Sequence, residues 1–111
     1  MNIRVRPRKD ALLVRADGHL TEAAAAELLE QVCLELQPQP RDVILDLSAI
    51  QSMSASALPY VFRIQQATSA RASRMLLAGR SAAVQRLLEK TRVVSALEHA
   101  DDAEQAEVTP L

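Results

Sequence analysis

Val43-Ile44-Leu45-Asp46-Leu47, then Ser48 to Ala55 with serines at 48, 52 and 54, then Ala57-Leu58-Pro59-Tyr60-Val61: these three successive blocks decide the fold. The first is dense in apolar residues, two of them β-branched, without alternation, the pattern of a central strand buried on both faces. The second is short, polar and rich in serine, and reads as a loop. The third opens a helix predicted from Ala57 to Ala72, with Leu58, Val61, Ile64 and Thr68 on one side. A buried strand feeding a loop and then a helix is the unit of an α/β domain.

The flanking sequence repeats that unit. On the C-terminal side, Met75 to Ala78 is a further buried strand and Gly79 is expected to turn the chain. Ser81 can cap a third helix, whose inner stripe is Ala83, Val84, Leu87, Leu88 and Thr91. Val93, Val94 and Leu97 suggest a short edge strand, and Asp101 to Glu107 a terminal helix with acids in its first turn. On the N-terminal side, Ile3 and Val5 alternate with polar residues and Pro7 closes the strand. Arg8-Lys9-Asp10 turns into a second strand, Ala11 to Arg15, and Asp17-Gly18 supplies another turn. Thr21 is the expected N-cap of a helix carrying Ala25, Leu28, Leu29, Val32 and Leu36 inward, ended by Pro38 and Pro40.

The chain has 111 residues, which suits a single domain over residues 1–111. Hydrophobic residues make up 49% but aromatics only 2%, so Leu, Val, Ile and Ala must build the core. Tyr60 and Phe62 are too few for an aromatic platform that stacks nucleic-acid bases. The net charge of −1 gives no overall pull toward nucleic acid either. Charge is nevertheless uneven. Residues 1–15 and 63–92 are basic, while 98–107 holds five acids and no base. Such runs serve as solvated faces or as partner surfaces.

Cys33 is the single cysteine, which excludes an internal disulfide and suits a reducing compartment. The basic N-terminus lacks the apolar core of a signal peptide. The uncharged stretch around Leu47 to Phe62 is too short and polar to span a bilayer, so a cytoplasmic protein without membrane insertion is expected. No cofactor is implied. His19 and His99 have no further ligands at metal spacing. The only glycines, Gly18 and Gly79, make no phosphate loop. No serine lies in a nucleophile elbow, and no nucleophile–base pair is legible, so no catalytic residues are assigned. Asp46 is an isolated acid in an apolar strand. It can satisfy backbone groups at the strand end or polarise the serine segment.

Leu45-Asp46-Leu47-Ser48-Ala49-Ile50, the serines and the following helix resemble the STAS domain of anti-sigma-factor antagonists, a family that reads LDLSxVxFIDSSGLGxL here. The resemblance extends to Asp17-Gly18-His19-Leu20-Thr21, to Met75–Gly79 with Ser81–Val84, to Thr91-Arg92-Val93 and to the acidic 97–106 stretch. It implies a STAS-like fold: a mixed sheet of about four to five strands with helices packed on one side. It also implies a role. Members bind an anti-sigma factor, often a serine kinase, in a partner-switching pathway. The kinase phosphorylates one serine at the start of the second helix and so blocks rebinding.

Aligning Leu58 with the family leucine puts Ala55 at the phosphoacceptor position, between Ser54 and Ser56. Alanine has no hydroxyl to phosphorylate, which leaves Ser56 or Ser54 as substitute acceptors. Thr21 replaces the aspartate of the family's first turn, and Pro59 replaces a glycine. Proline fits only the first helical turn, which favours Ser56 as N-cap or else a distorted first turn. The partner-binding set implied is Thr21, Ser52, Ser54, Ala55, Ser56, Leu58, Pro59 and Phe62. The expected partner is an anti-sigma factor of serine-kinase type. The alternative role is an accessory STAS subunit of a lipid-transport ATPase or a stress-signalling scaffold, members of which tolerate change at the phosphoserine motif.

Overall fold

A computed structural model describes residues 2–91 and the backbone of 98–100. The elements run β1 (Asn2–Pro7), β2 (Ala11–Leu20), α1 (Glu22–Leu36), β3 (Asp42–Met53), a 3-10 turn (Ala55–Ala57), α2 (Leu58–Ser69), β4 (Met75–Arg80), α3 (Ala82–Thr91) and β5 (Glu98–Ala100). The strands form one mixed sheet in the order β1-β2-β3-β4-β5. β1 pairs antiparallel with β2, and the remaining neighbours are parallel. Each parallel step is a strand–helix–strand crossover, which is why α1 and α2 separate β2, β3 and β4 in sequence.

Alternation decides which side chains meet the helices. Leu12, Val14 and Ala16 of β2, Val43, Leu45 and Leu47 of β3, and Met75 and Leu77 of β4 face one way. They share a single core with Ala25, Leu28, Val32 and Leu36 of α1, Leu58, Val61 and Ile64 of α2, and Val84 and Leu88 of α3. The described helices therefore all lie on one side of the sheet, as the resemblance implies. Ile44, Leu76, Ala78 and Ala11 form a smaller buried cluster on the opposite face. The Val43–Leu45 part of β3 is thus buried on both faces, in keeping with its apolar sequence.

The structure corrects the sequence reading at four places. Asp17-Gly18 does not turn the chain: β2 continues to Leu20, with register shifts against β3 between Arg15 and Asp17 and between Gly18 and His19. Gly18, at φ 99°, supplies a backbone shape that other residues resist. The serine segment is not a loop, because β3 runs on to Met53 in register with Leu20. Gly79 does not turn the chain either. It is the extra residue of a bulge, since Asp46 pairs with Ala78 while Leu47 pairs with Arg80. Lastly, Thr91 is exposed rather than on the inner stripe of α3. Its hydroxyl donates back to the Leu87 carbonyl at 2.8 Å.

α2 ends at Ser69, short of the expected Ala72. The Ala72 N–H donates to the Ser69 carbonyl at 3.0 Å, and the Ser73 N–H to the Thr68 carbonyl at 3.1 Å. That double bond pattern is a Schellman motif, and Ala72 holds its left-handed position at φ 60°. Val93, Val94 and Leu97, expected as an edge strand, lie outside the described residues, as does the helix expected over Asp101–Glu107. β5 nevertheless supplies a further parallel strand beside β4.

Candidate functional site

Parallel strands send their C-terminal ends the same way, and here β2, β3 and β4 each lead into a helix at that end. Open α/β sheets place their binding surfaces there. Each helix start needs acceptors for N–H groups that lack a partner inside the helix, and α1 and α3 each find a hydroxyl. The Ala24 N–H donates to Thr21 Oγ1 at 3.1 Å, so Thr21 caps α1 as expected. The Val84 N–H donates to Ser81 Oγ at 3.3 Å, so Ser81 caps α3.

The start of α2 is built differently from the expectation of a Ser56 cap. Ser54 is the cap, and it caps the 3-10 turn: the Ser56 N–H donates to Ser54 Oγ at 3.3 Å and the Ala57 N–H to the Ser54 carbonyl at 3.0 Å. The two hydroxyls, Ser54 Oγ and Ser56 Oγ, lie 2.7 Å apart. Pro59 explains the arrangement. A full α-turn beginning at Ser54 would call for the N–H that proline lacks. The tighter 3-10 turn absorbs three residues, and α2 then starts at Leu58 with Pro59 in its first turn, where no N–H is needed. This is the distorted first turn that the sequence left open.

Ala55 is the first residue of that turn and is exposed, with exposed hydroxyls on either side. The Ser54 N–H donates to the Leu20 carbonyl at 3.0 Å, which ties the turn to the end of β2 and brings Thr21 beside it. Thr21, Ser52, Ser54, Ala55, Ser56 and Pro59 are all exposed at this end. Two members of the expected set differ. Leu58 is only 7% exposed and points into the core, so it is the floor of the turn and offers a partner almost nothing. Phe62, one helical turn on, is half-buried and packs against the same core.

Sequence reading missed one juxtaposition. His19 Nδ1 lies 2.7 Å from Ser52 Oγ, a nucleophile–base distance that the sequence did not reveal. The two residues are paired in register between β2 and β3, and only the continuation of both strands to Leu20 and Met53 could have signalled it. Both are exposed. Among the described residues no acid orients the ring, and the contact ties the ends of β2 and β3 together. Nor does any group of three or more His, Cys, Asp or Glu come together there to hold a metal. No described helix is long and apolar enough to cross a membrane.

Asp46 resolves toward the backbone. Its Oδ1 accepts the Ser48 N–H at 3.0 Å, and Arg15 Nη1 stands 3.9 Å from Oδ2. The carboxylate occupies the space over Gly79, where a side chain would begin only 2.5 Å from Oδ1. Gly79 thus leaves room for the acid that secures the middle of β3.

The STAS domain family model matches residues 2–106, and the chain belongs to that family. The fold is shared with SpoIIAA, a Bacillus cell-fate determinant and anti-sigma factor antagonist, in its unphosphorylated form. That likeness has a TM-score of 0.79 at 15% identity and covers 96% of this chain and 94% of the other. An anti-sigma factor antagonist from Mycobacterium paratuberculosis gives 0.81 at 15% identity over 96% and 90% of the two chains. An anti-sigma-factor antagonist (STAS) domain protein from Planctomyces limnophilus gives 0.79 at 17% identity over 94% and 93%. Identities this low speak for the fold. No curated protein matches the sequence.

Proposed function

We propose that this chain is a bacterial, cytoplasmic anti-sigma-factor antagonist that binds an anti-sigma factor of serine-kinase type and does so without being phosphorylated. It is a binding module and not an enzyme. The observation that carries the reading is the exposed Ala55 at the head of the 3-10 turn. Aligning Leu58 with the family leucine puts the phosphoacceptor position there, and a methyl group cannot take a phosphate. Ser54 supports the same reading, since its hydroxyl already accepts the Ser56 N–H. A partner that buries this turn meets a neutral surface, whereas a phosphate there would add about two charges to a desolvated interface. The contact surface is Thr21, Ser52, Ser54, Ala55, Ser56 and Pro59, with the exposed edge of Phe62.

The missing hydroxyl also suits a second role, as an accessory STAS subunit of a lipid-transport ATPase or a stress-signalling scaffold. One set of measurements separates the two. Calorimetric titration against serine-kinase anti-sigma factors of the same genome should show binding. Ala55→Glu should weaken it by about ten-fold or more, through like-charge repulsion and desolvation. Incubation with the kinase and ATP should leave the protein unmodified by mass spectrometry. Phosphate on Ser56 or Ser54 would replace the phosphorylation-independent reading with a relocated acceptor. Failure to bind any such kinase, together with co-purification of a transport ATPase, would establish the second role.

A further inference from the structure

Beside the capped turn, the end of β3 and the flank of α3 nearest it form a shallow, open groove of about 300 Å³. Its floor is Met53, Ala83 and Leu87, and its rim is Ser52, Arg86 and Lys90. Arg86 and Lys90 are four residues apart, so they stand on one face of α3. Among the described residues neither has an acidic partner. The acid nearest in sequence, Glu89, is taken up by the Gln85 side-chain amide at 2.9 Å. Among the described residues no acid lines the groove. With no acidic partner among the described residues, these two cations beside an apolar floor make a surface complementary to a negative, partly apolar ligand. The groove also runs directly into the turn, because Ser52 and Met53 are the last residues of β3 before Ser54.

We infer that this groove receives an acidic segment of the protein partner, one or two leucine-like side chains seated on Met53, Ala83 and Leu87 and flanking carboxylates meeting Arg86 and Lys90. The inference rests on the partner-binding reading above and extends it to the chemistry of the segment that docks. A small inorganic anion would use the cations alone and leave the apolar floor empty. A basic segment would be repelled.

The probe is a blocked hexapeptide, two leucines between paired acidic residues, titrated into the 15N-labelled full chain. Amide shifts should centre on Met53, Ala83, Arg86 and Leu87 at millimolar concentrations. They should fade steeply with added salt, and the R86E/K90E double variant should weaken binding by about ten-fold or more. A peptide with lysines in place of the acids should produce no such shifts. Absence of shifts at those residues up to about 10 mM, or equal shifts with glutamate lacking leucine, overturns the inference. Binding to the anti-sigma factor tells the two proposals apart. If Ala55→Glu weakens that complex and R86E/K90E leaves it unchanged, the groove inference fails while the partner reading stands. If both variants leave it unchanged, both fail. The charged variants lie on an exposed helix face, and a retained thermal transition will show that they fold.

Discussion

Replacing Gly79 with alanine tests how β3 and β4 are held together at their bulge. Two costs follow from the geometry. Gly79 has φ +57°, and a non-glycine residue in that region costs about 1 kcal/mol. The new methyl would also begin 2.5 Å from Asp46 Oδ1 and 3.1 Å from Ser48 Cβ, so the carboxylate must move. Moving it gives up the bond from the Ser48 N–H, and hydrogen bonds to charged groups are worth about 1.5–3 kcal/mol. The Asp46 side chain is 17% exposed, so water recovers some of that loss. The expected destabilisation is about 2–4 kcal/mol, or roughly 8–16 °C in Tm at about 4 °C per kcal/mol for a domain near this size. Urea unfolding followed by far-UV circular dichroism measures it. The decisive arm repeats the substitution in an Asp46→Ala background, where the carboxylate is gone. There Gly79→Ala should cost only about 1 kcal/mol, the backbone share. A cost below about 0.5 kcal/mol in the native background would refute the reasoning, and so would an equal cost in both backgrounds.

Two further outcomes can be checked by the same methods. Ala72→Gly should stabilise the fold by about 0.5–1 kcal/mol, seen as a higher urea midpoint at unchanged slope, because glycine adopts the Schellman position at φ 60° without strain. Thr21→Ala should cost about 1 kcal/mol and speed hydrogen exchange at the Ala24 amide, which now donates to Thr21 Oγ1.

The parts of the fold that were legible in the sequence are those where side-chain period and burial agree. Val43 to Leu47 read as a doubly buried strand because every side chain there is apolar except Asp46. Leu58, Val61, Ile64 and Thr68 read as one helix face, and all four are buried. The readings that failed within the strands share one cause. Gly18, Gly79 and the serines at 48 and 52 are turn-forming residues in isolation, and pairing with a neighbouring strand overrode them. Bulges use the same residues as turns, and only the partner strand distinguishes the two. The Ser54 cap was missed for a related reason. An α-helical count from Pro59 excluded Ser54, and the 3-10 turn that restores it is a compromise between the proline and the end of β3. The His19–Ser52 contact could not be found from spacing, since 33 residues separate its members.

The bond from the Ser54 amide to the Leu20 carbonyl has a thermodynamic consequence. It fastens the head of α2 to the strand that launches α1, so the two helix starts share one anchor instead of hanging on independent loops. A surface already fixed in this way loses little conformational entropy when a partner covers it. Association should then proceed as near-rigid docking, with a heat-capacity change accounted for by the area buried and no additional contribution from folding.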